Sequence, residues 1–284
     1  ALHFDNYRID LMLSDPEWQK KAENGFHDSY DLGWPVMFAL IFADNYRDQL
    51  NDFIKWYSWR KPSVRSVIIF HKDYPSTPEK MSLELIPLFR EKIPEARIGT
   101  GTNANFAELN RNRPADTGND FITFSVHPQE HASDNYTVTE NLIAQKYLVQ
   151  SAAQFAGNKG ICVSPVTLAR RFNANVSFFE LPYEGNLMPP QVDSRQLSLY
   201  GACWTAGSLK YLCESDAESV TFFETTGERG IIQGDRASQW PDQYPSTAGD
   251  VFPAYFVFRH LLANKDMNVV KSISSHPGKT ECLA

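Results

Sequence analysis

The 284-residue chain has 42% hydrophobic and 21% charged residues, the balance of a soluble globular protein with room for one large domain. Its formal net charge of −7 and the lack of a basic stripe argue against a nucleic-acid surface. No run approaches the roughly 18 apolar residues of a membrane span and no secretory h-region opens the chain.

In chain order, strands are expected at 7–13, 64–70, 96–102, 121–126, 160–166, 219–223 and 268–273, with helices at 35–59, 78–92, 140–156, 193–213 and 250–263. Continuous apolar runs, each bounded by turns and followed by a helix, indicate a parallel sheet buried on both faces. There is no repeat, low-complexity segment or flexible linker, so residues 1–284 are expected to form a single α/β domain. Seven strands in this alternation point to a (β/α)8 TIM barrel, which typically takes about 250 residues. The chain opens close to a strand without an initiator Met. The first barrel strand is therefore expected upstream of the given sequence, unless the barrel closes unusually. An open doubly wound sheet is the rival architecture.

Cys162, Cys203, Cys213 and Cys282 show neither CxxC spacing nor disulfide density, which fits free thiols and favours a cytoplasmic protein. The segment Gly99-Thr100-Gly101-Thr102-Asn103-Ala104 fits the G-x-G-x-x-G/A fingerprint of a dinucleotide turn. Such a turn must open a helix, and the residues up to Pro114 are too rich in Asn for a long one. The glycines are better explained as letting a strand pack closely, so no cofactor is expected. His127-Pro128-Gln129-Glu130-His131 matches H-x-x-E-H, but Pro128 directly after a strand end leaves no helical face for two histidine ligands. No metal is expected, and the absence of G-x-S-x-G removes the usual serine hydrolase elbow.

In a barrel, chemistry sits at the C-terminal ends of the strands. Those ends carry Glu108 after 96–102, His127 and His131 after 121–126, Thr167, Arg171 and Asn173 after 160–166, and Glu224 after 219–223. Glu224 directly follows an apolar strand and precedes Thr225-Thr226-Gly227, where a carboxylate has no core to serve. Trp204 could offer a flat face to a sugar, but its place in a helix favours core packing.

With these pieces assembled, the chain resembles the central barrel of the D-apionate lactonase family. The resemblance rests on five ordered blocks: IGTGTNANFAELNRNRP, FITFSVHPQEHASD, VSPVTLARRFNAN, QLSLYGACWTAGSLKYL and SVTFFETTGERGII. It implies a TIM barrel similar to retaining glycoside hydrolases, with an acid/base after strand 4 and a nucleophile after strand 7. Counting one strand upstream, Glu108 follows strand 4 and Glu224 strand 7. The family also carries β-rich flanking regions, so this barrel is expected to be the central part of a longer enzyme. Relatives usually have Asn-Pro-Gln where this chain has His127-Pro128-Gln129.

The resemblance implies a small sugar-derived substrate, D-apionolactone, opened by acid/base chemistry from the two glutamates. Glu224 is cast as base or nucleophile and Glu108 as the acid for the leaving oxygen. His127, His131 or Arg171 would stabilise the oxyanion, and Asn103, Asn105, Thr167 and Asn173 would hold hydroxyls. A retaining glycosidase using the same pair, with carboxyl groups ~5–5.5 Å apart, is the alternative, and a non-catalytic sugar-binding barrel is a third possibility.

Overall fold

The computed structural model describes residues 2–183, 185–276 and 279–284. Seven strands pair in parallel and in sequence order: β1 (Tyr7–Met12), β2 (Val36–Phe42), β3 (Val64–His71), β4 (Arg97–Asn105), β5 (Phe121–Val126), β6 (Gly160–Val166) and β7 (Ser219–Phe222). Between them run α1 (Trp18–Leu32), α2 (Tyr46–Arg60), α3 (Glu79–Lys92), α4 (Phe106–Arg111), α5 (Asn135–Glu140), α6 (Ala144–Ala156) and α7 (Leu199–Cys213). The last helix, α8 (Pro253–Ala263), follows β7. The result is a curled βα sheet of TIM-barrel type.

Two expected elements change type. The helix expected at 35–59 is two elements, β2 and α2, joined at residues 43–45. All seven residues of VMFALIF are buried, so no polar residue marks a period, and a run like this reads equally as strand or helix. As a strand, β2 sends Met37, Ala39 and Ile41 to the barrel interior. Val36, Phe38, Leu40 and Phe42 face the helix layer beside Phe53, Trp56 and Phe89. The strand expected at 268–273 is absent: this segment has no strand partner among the described residues, and Val270 and Ile273 are exposed. Its backbone bonds go elsewhere, from Ser272 N to Glu214 Oε1 (3.0 Å) and from Val270 N to the Ala284 carbonyl (2.8 Å).

Because β2 was hidden inside an expected helix, Glu108 follows the fourth and Glu224 the seventh strand of this chain's own sheet. The seven described strands leave one place of the expected eight-stranded barrel unfilled. The glycines of β4 do what close packing asks of them. Gly101 sits at φ 144°, and a Cβ there would strike the Thr123 backbone oxygen of β5. A Cβ on Gly99 would meet the Phe121 ring.

A second helix-side core joins β5 and β6 to α6 and α7 around Phe124, Val149, Val163 and Leu212, and here Trp204 is buried. Between β1 and β7 lies a seam where no ladder bonds are described. A cavity of about 840 Å³ follows it, walled by Phe4, Trp34, Leu209 and Phe258, and opens at the C-terminal rim.

Candidate active site

The site begins with strand periodicity. Arg8 and Asp10 are two apart on β1 and so share one face. That face points into the barrel, where the Arg8 side chain is only 5% exposed. Arg8 Nη2 bonds Asp10 Oδ1 (2.6 Å) and Asn103 Oδ1 (2.9 Å), and Nη1 bonds Ser164 Oγ of β6 (2.8 Å). From the loop after β6, Arg171 reaches the same Asn103 oxygen (3.2 Å) and Asp10 Oδ2 (3.4 Å). One amide from β4 thus ties two guanidiniums to one aspartate.

Beyond β7 the chain turns sharply. Phe223 adopts φ 43°, a left-handed conformation costly for a bulky residue and typical of functional sites. Its ring is held by Trp204, Phe222 and Phe258. The next residue, Glu224, is thereby aimed at the cavity, and its carboxylate pairs with Arg229 Nη2. Arg229 Nη1 also bonds Glu180 Oε1 from the β6 loop (2.5 Å).

The rim separates two of its cavity carboxylates, Asp10 and Glu224, by charge. Burial opposes ionisation of Asp10, but Arg8 and Arg171 outweigh it and hold this carboxyl below its ordinary value. Glu224 goes the other way: lost hydration raises it, Arg229 pulls back only in part, and Glu180 adds like-charge repulsion. Carboxyls pushed apart in this way are suited to different parts in acid–base chemistry.

Among the residues singled out from sequence, Glu224, Thr167 and Arg171 line the large cavity. Asn105, His127, Thr167 and Arg171 line a second, small cavity beside it. His127 Nε2 lies 3.2 Å from Glu130 Oε2, while its buried Nδ1 has no partner. Asn105 also caps α4, its side chain accepting from Ala107 N (3.2 Å). Thr167 Oγ1 donates to the Ala169 carbonyl (2.7 Å), and Asn173 Oδ1 accepts from Asn175 N (3.1 Å). His131 is exposed, and residues 127–134 form no helix, so the two histidines share no helical face.

Glu108 stands in the first turn of α4, 3.3 Å from Arg111, and lines neither cavity. Its Oε2 is buried without a hydrogen-bond partner. The residues missed from sequence are Arg8, Asp10, Glu180 and Arg229. For Arg8 and Asp10 a signal existed: charges at i and i+2 in an otherwise apolar strand. Glu180 and Arg229 lie in loops, where spacing carries no such signal.

Known proteins match this architecture. Residues 1–266 match the family described as D-apionate lactonase, TIM barrel domain. A D-apionate lactonase of Brucella anthropi is 27% identical over 191 residues, covering 66% of this chain and 30% of that protein, so this chain corresponds to under a third of the relative. Among solved structures, a family 51 α-L-arabinofuranosidase from Bifidobacterium longum has a TM-score of 0.56 at 9% identity, covering 88% of this chain and 58% of its own. A β-glucosidase from Exiguobacterium marinum has a TM-score of 0.53 at 10% identity, covering 93% and 85%. These two share the fold. The family match spans nearly the whole chain, which therefore belongs to the D-apionate lactonase TIM barrel domain family.

Proposed function

We propose that this barrel is the catalytic domain of a carbohydrate-active hydrolase that opens a sugar lactone, with D-apionolactone as substrate. One observation carries the proposal: a single cavity at the C-terminal rim holds Glu224, paired to Arg229, opposite Asp10 and Arg171. Ester opening needs a base for water, donors for the carbonyl oxygen and an acid for the leaving oxygen. Glu224, with its raised proton affinity, takes a proton from water as the water oxygen bonds the acyl carbon. Arg171 and Arg229 stabilise the oxyanion. The bond from acyl carbon to ring oxygen then breaks, and the ring oxygen takes a proton from a second carboxyl group. The product is a hydroxy acid that ionises at neutral pH.

Glu108 is the candidate for that second carboxyl group, by its position after β4 and by an Oε2 left without a partner. Asp10 lines the same cavity as Glu224, but Arg8 and Arg171 hold it ionised, which suits an electrostatic partner and not a proton donor. Proton release at constant pH from D-apionolactone tests the function, and comparing Glu108→Gln with Asp10→Asn separates the acid from the electrostatic partner. Turnover that survives Glu224→Gln unchanged removes the whole assignment.

A retaining glycosidase using the same glutamates is the second reading, favoured by the placement of Glu108 after β4 and Glu224 after β7. Release from an aryl glycoside with silence on the lactone would move the reaction there.

A further inference from the structure

Three consecutive residues of the loop after β6 enter the barrel mouth, each by different chemistry. The Phe178 carbonyl accepts from Asn103 Nδ2 (3.3 Å). The Phe179 side chain packs on the interior cluster of Met37, Ile41 and Phe70. The Glu180 carboxylate bonds Arg229, the same guanidinium that pairs with Glu224. Loop residues that only bridged β6 to α7 would have no reason to place a ring over the barrel centre and a carboxylate on a rim arginine.

Arg229 presents Nη1 to Glu180 and Nη2 to Glu224, so each terminal nitrogen of its guanidinium already faces a carboxylate, the two coming from different loops. Glu224 is fixed there by the turn that closes from Glu224 N to the Arg229 carbonyl (3.1 Å). Glu180 comes from a separate loop and has no such constraint. Both Arg171 and Arg229 feel its charge.

We propose that Glu180 occupies, as an internal stand-in, a carboxylate seat on Arg229 that belongs to a sugar acid, the ionised product of the reaction proposed above. A sugar acid entering the mouth exchanges its own carboxylate for that of Glu180 and lifts Phe179 from the barrel centre. A neutral lactone offers no such exchange, so competition from Glu180 weakens the acid but not the lactone and helps release product. This rests on the C-terminal rim being the substrate site, though not on lactone chemistry.

Calorimetric titration with D-apionate, and with the uncharged polyol of the same skeleton, tests the seat in the wild type and in Glu180→Gln, Glu228→Gln and Phe179→Ala. Glu228 lines the same cavity, and its replacement removes the same charge without touching the Arg229 fork. Glu180→Gln should tighten the acid about tenfold, the scale of one charge-assisted hydrogen bond, and leave the polyol unchanged. Phe179→Ala should tighten both ligands alike. The proposal is overturned if Glu180→Gln leaves the acid unchanged or weakens it, if it shifts the polyol equally, if Glu228→Gln gives the same gain, or if neither the wild type nor Glu180→Gln binds the acid. Lactone turnover on the same samples keeps the two proposals apart. Acid binding that depends on Glu180 without turnover sinks only the lactonase, and turnover without that dependence sinks only the seat.

Discussion

Strands β2 and β7 belong to one sheet and share almost nothing else. Every residue of β2 is buried, and its ladder is filled on both sides by β1 and β3. The four residues of β7 are half-buried and pair only with β6. At its C-terminal end β2 passes quietly into α2, whereas β7 runs into a left-handed Phe223 and then Glu224. The barrel has thus separated its tasks: one wall supplies burial, and the other holds strain, charge and access. Burial of an aromatic such as Phe38 is worth ~3–5 kcal/mol against truncation. A charged, strained rim can exist only because other elements stabilise the fold.

The contrast is broken most severely by single substitutions on each wall. Glu224→Gln should lower lactone turnover by roughly 10²–10⁴-fold while the protein still melts cooperatively; a loss of less than tenfold would mean the β7 wall is not where the chemistry occurs. Phe38→Ala should cost about 3–5 kcal/mol in denaturant unfolding, whereas Val220→Ala on β7 should cost about 1 kcal/mol or less, because its side chain is only half-buried. Equal losses at Phe38 and Val220 would dissolve the distinction. The two left-handed non-glycine residues make a finer test. Lys61 caps α2 at φ 50° on the scaffold side, exposed, with its N–H bonded to Tyr57 O. Lys61→Gly should stabilise by about 1 kcal/mol and leave activity alone, because no substrate contact holds Lys61 in that conformation.

How much of this was legible follows from the same division. The alternation of apolar strands and helices is a burial signal, so the barrel could be read from sequence. Burial also misled where it was complete: VMFALIF has no polar residue to reveal its period, and β2 merged with α2. At 268–273 the residue types suit a strand, but the segment bonds to Glu214 and Ala284 instead of to a sheet edge, a tertiary choice that local sequence does not encode. In the site, Glu224 could be found because a charge ending an apolar strand is locally anomalous. Arg8 and Asp10 carry the same kind of anomaly, two charges on one face of an otherwise apolar strand. Glu180 and Arg229 meet only through tertiary structure, 49 residues apart, and neither is unusual within its own loop.

The smallest effects test whether the rim shifts the proton affinities of Asp10 and Glu224 in opposite directions. Asp10 has its folded pKa depressed, so it adds stability that is present above the ordinary carboxylate range and is lost as pH falls through the folded value. Glu224 has its folded pKa raised, so the folded state keeps a proton that the unfolded chain has already released. Stability is therefore lost as pH rises from the ordinary glutamate value, about 4.3, through the folded one. Urea unfolding of Asp10→Asn should show a shallower fall in stability on the acid side. Glu224→Gln should be more stable than the wild type at neutral pH, with the gain vanishing below about pH 4 as the wild-type glutamate becomes protonated in both states. If both variants changed stability in the same direction across that range, Arg8 and Arg171 would not be separating Asp10 from Glu224, and the rim would be a uniform patch of charge.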